Sequence, residues 1–390
     1  MSRNMRLATA LLGASLCSLL LLATATPAGA ATVTITGPEQ IVFDYSTMAC
    51  VEGDVPDGPA RAFKDVNDQI QLIRPGANKR MIGPSFDNLT SDCTLLKSSA
   101  LDPFPGDFDF AVWMTGTYTA DGTTVQALLH SEFHGTRVTG MCPSGSIQPC
   151  RYNSATLATS TDVGASYTST PAPTQLVASI PYRYTPEVGR VGIFSPSNII
   201  TKAGYFYAMV LVGGERVQRG GVCLMRTQDL SDPTSWRAWD GAGFTVRFID
   251  PYLEPSANPN THACQPVASD QIGQIERSLT YNSYLNKYFV IGTESKIDPG
   301  TQQPVRGFYY SFSDDLIHWS DRQLLLETPD VSCDGSPFLA YPSVIDHNSS
   351  DRNFGTAGQN AYLYYVVIHT ANCGFTKDRD MVRVPIQFAP

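Results

Sequence analysis

The chain is poor in helical signal. Apolar residues do not recur at three- and four-residue spacing over several turns anywhere past the first thirty positions, which excludes a helical bundle and a doubly wound α/β fold. It has no second long apolar run, so beyond the N-terminal stretch nothing reads as a membrane span. Basic charge is scarce as well. Lys and Arg number 27 against 36 Asp and Glu, a net charge of −9, which argues against a nucleic acid partner because phosphate binding needs a basic face. Cys-x2-Cys pairs are absent, which argues against a thiolate zinc site. Gly213-Gly214 and Gly220-Gly221 precede no helix, so no phosphate loop is implied. Gly-x-Ser-x-Gly is missing, which removes the nucleophile elbow of serine hydrolases.

What the chain does have begins with an export signal. Arg3 and Arg6 precede an apolar stretch from Leu7 to Thr24, and Ala28-Gly29-Ala30 offers small residues for cleavage. Residues 1–30 therefore read as a signal peptide and 31–390 as a single secreted domain, free of the membrane once cleaved. Losing Arg3 and Arg6 moves the charge from −9 to −11. Of nine cysteines, Cys17 leaves with the signal, and the eight that remain favour disulfides in an exported protein. The turn-rich loop between Cys142 and Cys150 indicates that pair directly. Pairing sequence neighbours adds Cys50–Cys93, Cys223–Cys264 and Cys333–Cys373, out of 105 possible connectivities.

Short β-branched and aromatic runs bounded by Gly, Pro, Asn and Asp recur throughout: 70–73, 124–133, 205–212, 287–292, 307–311 and 361–369. Acidic turns followed by an aromatic also recur, around Asp87, Asp162, Asp229 and Asp315, with Tyr167, Trp236 and Trp319 behind the last three. Each turn carboxylate is expected to accept backbone N–H groups, and each aromatic to pin its hairpin. Five apolar strands bearing Tyr or Phe accompany them. The pattern predicts an all-β fold, a five-bladed β-propeller with four-stranded antiparallel blades, spanning about 40–100, 105–172, 190–242, 274–328 and 335–388. A pair of β-sandwiches is the runner-up, and it leaves the repeated turn unexplained.

Ser160-x-Asp162-x-Gly164-x-x-Tyr167 resembles the Asp-box of sialidase-like propellers, and Ser313-Asp-Asp-Leu-Ile-His-Trp319 is similar to a blade turn of five-bladed glycoside hydrolases of the arabinanase, xylosidase and invertase type. The resemblance implies an axial funnel with a first-blade carboxylate as base or nucleophile, a later Glu as acid, a further carboxylate that tunes it, and a carbohydrate substrate. Asp57 occupies the first-blade position, although its surroundings, Pro56-Asp57-Gly58-Pro59-Ala60-Arg61, depart from the family's usual text. That departure marks a divergent member and leaves the sugar open.

The residues support three candidate catalytic carboxyls: Asp57, Glu132 and Glu276. Arg61 is placed to hold Asp57 ionised or to bind substrate. On the strand 125–134, His130, Glu132 and His134 share one face, which is costly to bury without a task. The same trio is also competent as a metal site. Arg277, Asn198 and Tyr341 stand at the starts of later blades as substrate-binding candidates, and Trp113, Tyr182 and Tyr184 as stacking ones. The expected activity is glycoside hydrolysis without a metal or other cofactor. The alternatives are a non-catalytic carbohydrate-binding propeller and a metal-dependent lyase or esterase built on His130 and His134. Blade starts that differ from one another (Asp57, Asn198, Glu276, Tyr341) favour one asymmetric central site over a repeated lectin.

Overall fold

A computed structural model describes residues 30–331 and 333–390. Residues 1–29 of the expected signal peptide, 1–30, lie outside them. Nearly all regular structure is β. The α-helices of the described chain are single turns at Tyr45–Met48 and Ser269–Ile272, and neither is long and apolar enough to cross a membrane. Every strand expected from the sequence is present, for instance Val125–His134, Tyr205–Gly213 and Pro304–Ser313.

The strands form four hydrogen-bonded sheets. The first, Arg61–Lys64 through Thr90–Asp92, is a four-stranded antiparallel meander. The second has ten strands. It runs as antiparallel ladders on both sides of one parallel join, where Val191–Phe194 pairs with Arg151–Ser160. The third, built on Ser278–Asn282, Lys287–Ile297, Pro304–Ser313 and Gln323–Glu327, takes Thr356–Ala357 as a parallel fifth member. The fourth consists of Phe338–Ile345, Asn360–Ala371 and Gly374–Ala389, with both N-terminal strands added. Strand counts thus depart from four per sheet through the parallel joins in the second and third sheets and the N-terminal strands added to the fourth.

One boundary needs correction. Gln40–Phe43 does not open the first sheet. It pairs with Gly374–Ala389, as does Thr32–Ile35, so both ends of the chain share the last sheet. Backbone hydrogen bonds between the termini hold that sheet together without help from the first.

The apolar cores explain how the sheets are arranged. Phe63 and Ile73 of the first sheet pack with Met114 and Leu129 of the second. Met209 and Leu224 of the second meet Leu279 and Val290 of the third. Phe289 and Phe308 of the third meet Leu363 and Phe388 of the fourth. Leu72 and Met81 of the first meet Tyr364 and Met381 of the fourth. These four interfaces make a closed circuit, with each sheet covered on both faces by its neighbours. Buried amides also link the sheets. Asn78 accepts from Met114 N (2.9 Å) and donates to Val112 O (2.7 Å), and Asn353 makes the same two-way bond with Thr119.

The acidic turns behave as expected at three of four places. Asp162, Asp229 and Asp315 each accept a following backbone N–H, from Ser166 (2.9 Å), Ser231 (2.8 Å) and Ile317 (2.8 Å) respectively. Tyr167, Trp236 and Trp319 are buried beside them. Asp87 instead reaches across to Arg383 of the last sheet. The four expected disulfides, Cys50–Cys93, Cys142–Cys150, Cys223–Cys264 and Cys333–Cys373, are all formed.

Candidate functional site

At the start of their first strands, all the sheets converge on one cavity of about 140 Å³. Asp57 comes from the turn before Arg61–Lys64. Trp113, Thr115, His130, Glu132 and Arg151 come from the first half of the ten-stranded sheet, and Arg190 and Ser195 from its second half. Arg277 immediately precedes Ser278–Asn282, and Tyr341 lies in Phe338–Ile345. A separate small cavity of about 10 Å³ is lined by Arg61, Thr117, Asn198, Ser278 and Val344 among others.

Two irregularities aim side chains into the cavity. Pro342 cannot donate to a ladder, and the register between Ala340 and Ser343 shifts around it. Tyr341 takes a left-handed φ of +59° at this bulge. Its hydroxyl donates to Asp57 Oδ1 at 2.8 Å. A second register shift, between Met114 and Gly116, accompanies Thr115.

The two carboxylates that face the cavity are held differently. Asp57 is part-exposed at the mouth and receives Arg379 Nη1 at 2.5 Å in addition to Tyr341. Glu132 is buried. Burial alone would raise its pKa, but the His134 hydrogen bond (2.7 Å) and the electrostatic pull of His130 and of Arg151 (3.0 Å) outweigh it and hold the carboxyl at about 2. Glu132 is therefore a permanent anion at neutral pH. His130 is the converse. Desolvation depresses it to about 4 despite Glu132 nearby, so the ring is neutral, with Nε2 at 3.0 Å from Asn153 Oδ1 and Nδ1 at 3.3 Å from Ser195 Oγ. Both ring nitrogens have hydrogen-bond partners.

Glu276 does not line the cavity. It lies fully buried behind Arg277, its Oε1 3.2 Å from Arg277 Nε, and burial raises its pKa against the pull of Arg277 and Arg61. Arg61 is buried too. It donates to the carbonyls of Thr115 (2.5 Å), Ala60 (3.1 Å) and Arg277 (2.5 Å), stitching three sheets together. Desolvation and the charge of Arg277 bring it down to about 9. Asn198 clasps Leu279, donating to its carbonyl (2.6 Å) and accepting from its N–H (2.8 Å), so its amide joins the second and third sheets. His134 stands behind Glu132 rather than on the cavity wall.

Asp57, His130, Glu132, Arg277 and Tyr341 thus come together, while Arg61, His134, Asn198 and Glu276 support them from behind. Sequence reading missed Arg151, Arg190 and Arg379. Arg151 carried a usable signal, since a hairpin closed by the Cys142–Cys150 loop places it directly opposite His134. Arg190 stands just before a first strand, as Arg277 does. Arg379 lies in the outer half of the last hairpin and has no local mark.

Comparison of the sequence with protein-family models and with curated proteins returns no match. Among solved structures, an α-L-arabinofuranosidase from Podospora anserina in complex with cellotriose aligns over 91% of this chain and 96% of its own, at 10% identity and a TM-score of 0.46. An α-L-arabinanase from Cellvibrio cellulosa aligns over 84% and 91%, at 11% identity and 0.45. An N-acetylgalactosamine deacetylase from F. plautii aligns over 90% and 95%, at 10% identity and 0.45. Likeness at this level does not separate one activity from another.

Proposed function

We propose that the chain is a secreted five-bladed β-propeller that hydrolyses glycosidic bonds in the cavity at the sheet starts. The supporting observation is the convergence itself. Asp57, Glu132, Arg277 and Tyr341 are spread over nearly 300 residues of sequence yet line one pocket, and although Arg recurs in its wall, the blades do not supply one equivalent set of side chains. A repeated lectin would present equivalent side chains in every blade. In this reading the ten-stranded sheet is two blades joined edge to edge by the parallel pairing at Val191, and the N-terminal strands close the last blade. The acidic turn at Asp162 plays the part of the Asp-box.

Hydrolysis needs two carboxyl groups on either side of the scissile bond, one as acid and one as base or nucleophile. Glu132 enters as an anion and takes the attacking side. Asp57 is the other carboxyl that faces the cavity. Glu276, buried against Arg277, tunes the charge of the site without touching substrate. Trp113 offers a ring for a sugar face. The test is release of reducing ends from a panel of polysaccharides by residues 31–390, with Asp57→Asn and Glu132→Gln as controls. Each is expected to lower kcat by several orders of magnitude with the fold intact. Full activity of Asp57→Asn overturns the assignment.

A further inference from the structure

The site is cationic in an acidic protein. Against a net charge of −9 for the whole chain, three guanidinium groups, Arg151, Arg190 and Arg277, line the same 140 Å³ cavity, with Arg61 directly behind. The two carboxylates of the cavity are already committed. Asp57 is bound by Arg379 and Tyr341, and Glu132 by Arg151 and His134. Arg61 and Arg277 share a single buried carboxyl, Glu276. Arg190 has no carboxylate within ion-pair distance among the described residues, and its guanidinium rests on the Phe194 ring, 4.2 Å from the centroid. Guanidinium groups this close repel one another unless an anion lies between them.

Arg190 is also the common wall to a second cavity of about 460 Å³, floored by Gly213, Gly214, Gly220 and Gly221. Glycines without a Cβ let a ligand approach the backbone closely. The smaller cavity falls below the roughly 300–1,000 Å³ typical of ligand pockets, and the two together fall within it. The two cavities share Arg190 as a lining residue, and the larger one also carries Glu294.

We propose that the ligand of this site is an acidic glycan, whose ring-borne anion, a uronate carboxylate or a sulfate ester, is held between Arg190 and Arg277. A planar guanidinium pairs with either anion through two parallel N–H bonds, which a neutral hydroxyl cannot match. Arg277 is anchored for this task by Glu276 and stands over the Tyr341 ring at 5.8 Å. The inference rests on the reading of this cavity as a glycan site but not on hydrolysis there.

The experiment measures binding and cleavage separately on the whole secreted domain. Calorimetry is run at low and at high salt with trigalacturonate, galactotriose 6-sulfate and neutral galactotriose, and cleavage is followed by reducing-end release from the matching polymers. An anionic trisaccharide is expected to bind at least tenfold more tightly than galactotriose, with the gap narrowing at high salt, and the tighter of the two anions identifies carboxylate or sulfate. Arg190→Ala breaks no ion pair and is expected to remove most of that gap, weakening the anionic ligands at least several-fold more than galactotriose. Arg277→Lys keeps the charge but loses the fork, and is expected to cost several-fold on the anionic ligand alone. Equal affinity for neutral and anionic ligands, or equal loss on both in Arg190→Ala, overturns the proposal. Cleavage confined to neutral polymers also overturns it but leaves the hydrolase reading standing. Tight, Arg190-dependent binding of the anionic ligand without cleavage supports it and removes the hydrolase reading instead.

Discussion

Replacing Glu132 by Gln tests the electrostatics of the site through stability alone, whatever the substrate. The carboxyl is buried, with a side-chain exposure of 7%, and its pKa falls from 4.5 to about 2. That difference corresponds to roughly 3 kcal/mol of differential stabilisation of the anion. The sign follows from the depressed value. Above pH 4.5 the carboxylate is ionised whether the chain is folded or not, and its interactions with His134 and Arg151 are fully present. As the pH falls through 4.5 towards 2, the unfolded chain takes up a proton that the folded one resists, and the contribution drains away. Glu132→Gln lacks the charge at every pH. It is therefore expected to be less stable than the parent by roughly 3 kcal/mol at pH 7, with the deficit shrinking steadily as the pH drops below the ordinary carboxylate value. At about 2.1 cal/mol/K of unfolding entropy per residue, over the 360 residues after the export segment, the pH 7 deficit lowers Tm by about 4 °C. Urea titrations of both proteins at about pH 7, 5, 4 and 3.5, monitored by tryptophan fluorescence, read it directly. A deficit that stays constant across this range refutes the reasoning, because the cost would then be packing or hydrogen-bond geometry and not charge.

The disulfides make a graded prediction. Loop-closure entropy over 41 residues gives Cys223–Cys264 about 4 kcal/mol, and over 8 residues gives Cys142–Cys150 about 2.5 kcal/mol; paired Cys→Ser variants in chemical denaturation should fall in that order, and thiol titration of the denatured, unreduced protein should find less than about one free thiol per chain. Gly192 sits at φ +113° in the parallel join, where an added Cβ would come within 2.2 Å of the Asn153 carbonyl oxygen. Gly192→Ala is expected to cost about 2 kcal/mol or more, and a thermal melt matching the parent would show that the join yields easily. Asn198→Ala removes a two-way clasp between sheets and should cost about 1–3 kcal/mol of stability while KM for any substrate stays unchanged; a raised KM without loss of stability would return Asn198 to the binding site.

The sequence by itself determined the β character, the strand positions, three of the four acidic turns and the Cys142–Cys150 pair. Each of these is written locally. Alternation and β-branching mark a strand within a single short run, and an Asp just ahead of a free backbone N–H makes its own turn. In the other three disulfides the two cysteines stand 43, 41 and 40 positions apart, and the fold brings each pair together. The shared face of His130 and Glu132 was legible for the same reason, since period-two alternation needs only the strand. Tertiary structure alone decided which ends pair, where Glu276 points and what surrounds each carboxyl. Gln40–Phe43 reads like any short strand, and only its hydrogen bonds to Gly374–Ala389 assign it to the last sheet. Glu276 and Arg277 are adjacent, and a one-residue change in register would exchange the buried acid for the cavity-lining base. Arg379 reaches Asp57 across 322 positions, and Arg190 and Arg277, from different sheets, line the same cavity. Charge acts through space and not along the chain, so a net charge of −9 held no hint that guanidinium groups would gather at one point.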